Sequence, residues 1–510
     1  MKHCGWSMDW RVVSALCVWL EWGAVRAAVI TVTTNDNYTR IEGANPGDEV
    51  VIAPGTYSFR VYLTRQATPA NPILIHAQDP ASPPVWDFGT TLVEDAPGSY
   101  TAGDRGRGGW QFSGAANYSI SGIVFRHCRT ASFNSAGIRY YNGTTNLYIK
   151  DCVFASNDNG LTGGTQNSQA TVEFCEFNAN GNLSASSSSP THNIYVYGGY
   201  LTMRYCFVHD SVQGENFHIR CRCSTLEYNW FARAMNYEGD LMTDDDFSGA
   251  GPFSQTMTLR GNVFVQNSVP GNRSQVLAIY NDAGLAGLTL SVRALYNTFV
   301  GVNANSAFMH VSNADGTRMN SEVSNSIIYG TKTPLLIEDT AAATVTGVNN
   351  WLQTGAGAGP LTGSVEAPSP GFRNAALEDY TLTNGSVCIG AATAAVYGLP
   401  GREYYRNEIT NRQWRIRAAA SDLGAFESTS ANGPVGPYDP APQTQLSIRA
   451  SATNPVVAWP LFGADLGILQ SDLSEPITWS RAPYPCVTNA AGIFMSVPTN
   501  TSKEFFRLAP

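Results

Sequence analysis

Apolar and polar residues alternate in short runs along most of the chain, and the runs end at Gly, Asn, Ser or Asp. This pattern is typical of many short strands rather than of helices. One unit recurs within it: a small or polar residue, then any residue, then a large apolar one. Its copies are Cys152-Val153-Phe154, Cys175-Glu176-Phe177, Cys206-Phe207-Val208, Asn229-Trp230-Phe231, Asn262-Val263-Phe264, Asn297-Thr298-Phe299 and Asn325-Ser326-Ile327.

The spacing of this unit predicts the fold. Cys152 and Cys175 lie 23 residues apart, and longer intervals are those of the same unit with a loop inserted. Three short strands in a unit of about 22 residues fit one coil of a β-solenoid. A leucine-rich register is missing, and the hairpin turns that a sandwich or propeller needs are sparse. We therefore predict a right-handed parallel β-helix over residues 28–430.

The repeated position also predicts side-chain ladders. Equivalent residues of neighbouring coils stack about 4.8 Å apart, so an inward Asn can bond to the Asn and the backbone of the next coil. This spacing exceeds the roughly 3.8 Å between the Cβ atoms of a disulfide. We therefore expect Cys152, Cys175 and Cys206 to be stacked free thiols. A metal site is disfavoured, because three sulfurs in a line do not form a tetrahedron.

The two ends of the chain differ from this pattern. Lys2, His3 and Arg11 precede an apolar run from Val12 to Leu20, which predicts a signal peptide over residues 1–27. That run is too short to span a bilayer, so we expect a secreted protein (extracellular, periplasmic or cell-surface) with no integral membrane segment in the mature chain. Residues 431–443 form a Pro/Gly linker, and residues 444–510 are predicted to form a small β-sandwich-like module.

Composition narrows the choice of partner. Charged residues make up 14% of the chain and aromatic residues 11%, with a net charge of −9. No basic stripe is present to neutralise phosphates, so nucleic acid is excluded as the main partner. We expect a monomer.

Alignment of the coils predicts one outer face for chemistry, because side chains alternate along a strand. It places residues 193–197 over 216–220, then 240–244, then 276–280. The predicted outer rows are Tyr195, His218, Met242 and Ala278; Tyr197, Arg220, Asp244 and Tyr280; and Arg222, Asp246 and Asp282.

These rows suggest specific roles. Aromatic rings offer stacking area for sugars, and we predict that Asn193, Tyr195, Asn216 and Tyr280 bind substrate. Carboxylate oxygens are ligands that Ca²⁺ prefers, so Asp244, Asp246 and Asp282 are predicted calcium ligands. The alternative is an Arg–Asp ladder that only solubilises the face.

The segment 214–222, followed by 226–229, resembles the central coil of β-helix polysaccharide lyases in the pectate lyase-like superfamily, distantly including chondroitinase B and alginate lyases. Residues 46–57 and 421–427 resemble the entry and closing segments of that superfamily, and residues 444–510 resemble an immunoglobulin-like module. The resemblance implies neutralisation of a uronate carboxylate, often with Ca²⁺, and removal of the C5 proton before β-elimination. Arg220 or Arg222 stands where those enzymes carry a catalytic Lys.

The residues favour a particular division of labour. Imidazole titrates near neutrality whereas guanidinium stays protonated, so His218 or Tyr197 is the predicted proton acceptor, with Arg220 and Arg222 binding carboxylate. The predicted function is a lyase acting on an extracellular acidic polysaccharide. The alternatives are a glycoside hydrolase, which needs two carboxylates about 5–9.5 Å apart among Asp240, Asp244, Asp245 and Asp246, and a non-catalytic glycan-binding or adhesion protein.

Overall fold

The computed structural model shows a parallel β-helix, which confirms the predicted architecture. The predicted signal peptide lies outside the described residues. Those are 27–93, 108–186, 190–244, 254–268, 275–281, 287–302, 306–312, 317–338, 340–393, 399–407, 411–419, 421–429, 433–440, 447–449, 454, 456–459, 467–471, 480–482, 484, 486–489, 492–497 and 505–509.

Each coil contributes up to three strands, and we call the three resulting stacks faces A, B and C in chain order. Faces A and B form one continuous sheet, because two strands run through the corner between them: Ile194–Arg204 and Phe217–Glu227. The other face A strands are Val61–Leu63, Gly108–Ser113, Ala136–Tyr141, Asn159–Gly163, Gly239–Met242, Gln275–Tyr280, Ala307–Ser312 and Thr333–Ile337.

Faces B and C complete the coil. The other face B strands are Val29–Val32, Glu49–Ile52, Ile73–Ala77, Ala116–Ser121, Thr145–Lys150, Gln169–Glu173, Ser254–Arg260, Thr289–Leu295, Arg318–Ser324, Ala343–Val348 and Leu361–Thr362. The face C strands are Thr56–Tyr57, Val85–Asp87, Val124–Arg126, Val153–Ala155, Glu176–Asn178, Phe207–His209, Trp230–Ala232, Val263–Val265, Thr298–Val300, Ile327–Tyr329, Trp351–Gln353 and Val365–Ala367. A short helix, Thr39–Glu42, buries Ile41 near the first coil.

The core is filled by the inward residue of each strand, and aromatic rings stack from coil to coil. Phe154 and Phe177 are parallel at 4.6 Å between ring centroids, and Phe264 and Phe299 at 4.8 Å. Such pairs add about 0.5–1.5 kcal/mol each beyond the area that they bury. The stack therefore fixes the register between neighbouring coils.

The predicted ladder lies at the turn between faces B and C. Cys152, Cys175 and Cys206 are buried free thiols, as expected. The amide oxygen of Asn229 accepts the backbone N–H of Cys206 at 2.9 Å, and Asn229 Nδ2 donates to Asn262 Oδ1 at 3.0 Å. Each ladder residue thereby satisfies a backbone group that the turn leaves unpaired.

The prediction that Asn325 is the last member of this ladder was wrong by one residue. Asn325 has φ 50° and occupies the left-handed position that precedes each ladder residue, as Tyr228 and Tyr296 do in other coils. The ladder position belongs to Ser326, whose Oγ accepts the backbone N–H of Asn297 at 3.1 Å. Asn tolerates the left-handed conformation and also occurs at the ladder position, so the sequence pattern alone did not show which of the two positions Asn325 occupies.

A second ladder lies at the turn from face C to face A, and it was not predicted. It runs through Asn157, Asn180, Asn193, Asn216 and Glu238. Nδ2 of Asn193 donates to Asn216 Oδ1 at 2.7 Å, and Nδ2 of Asn216 donates to Glu238 Oε2 at 2.6 Å. Asn193 and Asn216 are fully buried, so the interpretation of both as substrate-binding residues is corrected: their amides bond within the core.

Parallel coiling ends at residue 367, and the described residues between 368 and 428 fold back along the solenoid. They form two antiparallel hairpins, Phe372–Asn374 with Asp379–Leu382 and Arg402–Asn407 with Asn411–Ile416, and the first encloses the 3₁₀ turn Ala375–Leu377. Arg412 anchors the second hairpin through Asp151 at 2.7 Å and Glu176 at 2.8 Å. This fold-back segment covers aromatic residues on the outside of face C and at the turn that precedes it, where Trp414 is stacked on Tyr205 at 5.6 Å.

The remaining described strands belong to two antiparallel sheets. One contains Ser447–Arg449, Val456–Trp459, Cys486–Asn489 and Gly492–Ser496, and the other contains Gly467–Ser471, Ser480–Arg481 and Phe505–Ala509. Within the predicted linker, Val435 pairs with Trp414 of the fold-back segment. No helix in the described part of the chain is long and apolar enough to cross a membrane.

Candidate functional site

The outer side of face A carries the candidate site, in a register that differs from the predicted one. Tyr195 pairs with His218 as predicted, but His218 pairs with Asp240 and not with Met242. Asp240 in turn pairs with Ala278. The strand Gly239–Met242 is thus shifted by two residues, which preserves the inward and outward alternation.

The shift changes the second row as well. Met242, and not Asp244, pairs with Tyr280 and follows Arg220 in the row. Tyr197 pairs with Arg220 as predicted. The corrected rows are therefore Tyr195, His218, Asp240 and Ala278, and Tyr197, Arg220, Met242 and Tyr280.

His218 occupies the centre of the first row. Its ring meets the Tyr195 ring edge-on at 4.8 Å, and its Nδ1 lies 3.4 Å from Asp240 Oδ2. The side chain keeps 14% exposure, so part of it stays accessible to solvent. Burial, reinforced by the charges of His192 and Arg220, holds the pKa of His218 well below its ordinary value. The imidazole is therefore neutral at physiological pH.

His192 and Glu215 lie next to His218, and neither was singled out from the sequence. His192 Nδ1 is 2.6 Å from Glu215 Oε2, and both side chains are at most 4% exposed. The two imidazole rings are 4.9 Å apart. Two histidines and a carboxylate thus form a largely buried cluster at the outer row.

A sequence signal for this pair existed. His192 immediately precedes Asn193 of the second ladder, and Glu215 immediately precedes Asn216. Residues one coil apart stack, so recognition of that ladder would have placed His192 against Glu215. The second ladder was not predicted because the coils were aligned on the copies of the first ladder.

The two arginines of strand Phe217–Glu227 lie at the corner between faces A and B. Arg220 is 7% exposed, whereas Arg222 is exposed to solvent. The amide of Gln255 holds this corner by donating to the carbonyl of Cys221 at 3.1 Å. The corner therefore presents one guanidinium at the surface and one beneath it.

Tyr197 lies beside Arg220 and is half-buried. Its ring is 5.6 Å from that of Tyr195 and 6.3 Å from that of Tyr141. Burial first, and the neighbouring Tyr141 second, raise the pKa of the Tyr197 phenol far above its ordinary value. The phenol stays protonated at any physiological pH, which suits a proton donor better than an acceptor.

The structure does not place the carboxylate of Asp244 where it could bind a cation at the surface. Its side chain is fully buried, and Oδ2 accepts the backbone N–H of Gly198 at 2.7 Å. One carboxylate oxygen thus stabilises the sharp bend at Gly198, where φ is 63°. Asp246 and Asp282 lie outside the described residues, and the calcium site stays a prediction.

Tyr280 lies further along the second row, in a hydrogen-bonded group. Its hydroxyl is 2.9 Å from the Tyr237 hydroxyl and 3.0 Å from His310 Nδ1. His310 Nε2 in turn lies 3.0 Å from Glu338 Oε1. The ring is half-buried, so its role in substrate binding also stays a prediction.

Comparison with known proteins gives no match to a family model and none to a curated protein. Among solved structures, the chain is similar to an alginate lyase from Paenibacillus sp. (13% identity, TM-score 0.44, covering 62% of this chain and 97% of that one). It is also similar to pectate lyase Pel9A (14%, 0.42, 80% and 98%). A third similar structure is a tailspike from Acinetobacter baumannii bacteriophage Fri1, a capsular polysaccharide depolymerase (11%, 0.37, 95% and 86%). These similarities are weak and concern the shape of the backbone alone.

Proposed function

We propose that the protein is a polysaccharide lyase that cleaves an acidic, uronate-containing chain by β-elimination on the outer side of face A. The observation that carries the proposal is the position of His218, a neutral imidazole whose side chain is 14% exposed. It lies between Tyr195 and Asp240 and is flanked by the arginines of its own strand.

The arginines account for the choice of an acidic sugar. Arg222 is exposed at the corner of the sheet and Arg220 lies beneath it. A guanidinium binds a carboxylate through two parallel N–H donors, and this binding makes the C5 proton of a uronate more acidic. The half-buried ring of Tyr195, on the same outer row, supplies a surface for a neighbouring sugar ring.

The reaction then needs one proton acceptor and one donor. The free nitrogen of His218 accepts the C5 proton, the electron pair forms the C4–C5 double bond, and the C4–O bond to the leaving sugar breaks. Tyr197, whose raised pKa keeps it protonated, donates a proton to the leaving oxygen. The His218 imidazolium then releases its proton to water and the Tyr197 phenolate takes one up from water, so both side chains return to their starting states. The earlier alternative of Tyr197 as acceptor is disfavoured by the same raised pKa.

The proposal includes an extracellular, monomeric protein, in keeping with the signal-like residues 1–27 and a substrate class found outside cells. The positions of the carboxylates support hydrolysis less well than they support elimination. Asp240 lies on the outer row, but Asp244 is buried and bonded to the backbone.

The test is incubation of the full chain with a panel of uronate polymers, with and without a calcium chelator. We expect a rise in ultraviolet absorbance from unsaturated products, lost in His218→Ala and retained in Tyr200→Phe, a control on face B that is 44% exposed. New reducing ends without that absorbance would show hydrolysis and overturn the proposal. Binding without any cleavage would instead establish a glycan-binding or adhesion protein.

A further inference from the structure

We propose that His192, Glu215 and His218 form a binding site for a divalent transition-metal ion of the zinc class. Each of the three side chains offers one ligand atom, and these atoms all lie within 4.8 Å of one another. This site differs in position and in chemistry from the predicted calcium site at Asp244, Asp246 and Asp282.

The burial of the three groups supports a cation between them. The side chains of His192 and Glu215 are 4% and 2% exposed. A carboxylate removed from water needs a compensating positive charge. Within the described residues, Nδ1 of His218 has no hydrogen-bond partner. A metal ion would neutralise Glu215 and bind ligand atoms that already lie close to one another.

The donor set selects the class of ion. Two imidazole nitrogens and one carboxylate oxygen, with a fourth position open, are the ligands of a catalytic-type zinc site. Ca²⁺ instead takes six to eight oxygen ligands, which this pocket does not offer. At zinc–ligand distances of about 2.1 Å the ligand atoms stand about 3.4 Å apart, so binding requires side-chain shifts of about 1 Å.

Surrounding residues hold the ligands in place. Nδ2 of Asn236 donates to the second oxygen of Glu215, and the side-chain oxygen of Asn159 accepts the backbone N–H of His192 at 2.9 Å. A Cβ at Gly214 would lie 2.5 Å from His192 Nδ1, so glycine leaves the room that this ring needs. Outer partners of this kind orient metal ligands and tune their affinity.

The test is calorimetric titration of Zn²⁺ into the metal-free full chain, with Ca²⁺ as a second titrant. We expect one Zn²⁺ per chain, no competition by Ca²⁺, and a loss of affinity of more than about 100-fold in His192→Ala and in Glu215→Gln. The matched control is His76→Ala, which removes a half-exposed His–Glu pair on face B and should bind as the unsubstituted chain does.

Two outcomes overturn the proposal: no stoichiometric binding to the unsubstituted chain, or equal binding by the two site variants and the control. The unsubstituted chain loaded with Co²⁺ gives a reading that does not depend on how the variants fold. We expect visible absorption bands of a four- or five-coordinate ion, and bands of an octahedral aqua ion would contradict the site.

One consequence rests on the proposed function. A bound zinc ion takes up the imidazole of His218, so we expect Zn²⁺ to abolish lyase activity and a chelator to restore it. Zinc binding is measured separately from activity. If zinc binds but activity persists, the metal site stands and the role of His218 as proton acceptor is wrong.

Discussion

Gly239 lies directly against the ring of Phe217, and a Cβ at this position would overlap that ring. The two residues pair in register on face A. The ring of Phe217 therefore fills the space that a side chain of the next coil would otherwise take. Because each is followed by an outward residue, this contact also sets His218 opposite Asp240.

The first prediction concerns Gly239→Ala. The added methyl group must displace the Phe217 ring in a packed core, which costs about 1–3 kcal/mol. We expect denaturant unfolding to show this loss of stability, together with reduced activity on any polymer that the protein cleaves. Gly433→Ala is the control, since nothing lies within 4 Å of that position. Equal stability of the two variants would contradict this account of the packing.

A second prediction tests the ladder between faces B and C. Asn229→Ala removes the acceptor for the Cys206 N–H and the donor to the carbonyl of Met203, which is 3.0 Å away. Buried polar groups left unpaired cost about 1–3 kcal/mol each, so we expect the free energy of unfolding to fall by about 3 kcal/mol. Asn320→Ala, on the half-exposed side of face B, should change it by less than about 0.5 kcal/mol.

The cysteines provide a third prediction. Burial raises the pKa of the Cys152 and Cys175 thiols well above the ordinary value, and the thiolate is the reactive form. We expect iodoacetamide to label the exposed Cys486 in the folded protein and to leave these two unmodified. All three thiols should react with iodoacetamide after denaturation, with no reductant added. A mass difference between reduced and unreduced denatured protein would reveal a disulfide.

The fourth prediction is a pH effect at Glu238, where the second ladder ends. Burial raises the pKa of Glu238 to about 8. The folded protein thus keeps a proton that the unfolded chain releases above about pH 4.5, so the free energy of unfolding falls as pH rises from about 4.5 to about 8. The slope from this group is at most about 1.4 kcal/mol per pH unit.

The variant Glu238→Gln separates this effect from other titrations. Glu238 accepts the backbone N–H of Ala234 and the Asn216 amide through its two oxygens, whereas Gln has one acceptor. We expect the variant to be less stable than the unsubstituted chain at pH 5, with the difference shrinking toward pH 8. Parallel stability curves from pH 5 to pH 8 would show that Glu238 is ionised in the fold.

The repeat in the sequence was sufficient to predict the fold, but it did not predict the register of the strand Gly239–Met242. Alignment stacked Leu241 on Phe217 because apolar residues usually follow one another in a solenoid core. The structure stacks Gly239 there, since the ring of Phe217 reaches into the next coil. A two-residue slip keeps the alternation of faces, so the pattern of apolar residues gives no sign of it.

The candidate site was predicted only in part for a related reason. Tyr195, Tyr197, His218 and Arg220 share the outer rows as expected. Asn193 was predicted to bind substrate, although its amide forms hydrogen bonds in the core. The sequence alone does not distinguish an exposed asparagine from one that belongs to a ladder. The fold-back hairpins could not be inferred, since their contacts, such as that of Arg412 with Asp151, join residues remote in the chain.

That remoteness has a consequence for the order of folding. A growing chain completes the coils around Tyr205 and Trp230 long before residues 402–416 exist to cover their outer side. Coils can form locally, because each contacts mainly its neighbours. The aromatic side of the nascent solenoid therefore stays open to water until the last hairpin emerges and docks, and chains stopped before that point should associate through it.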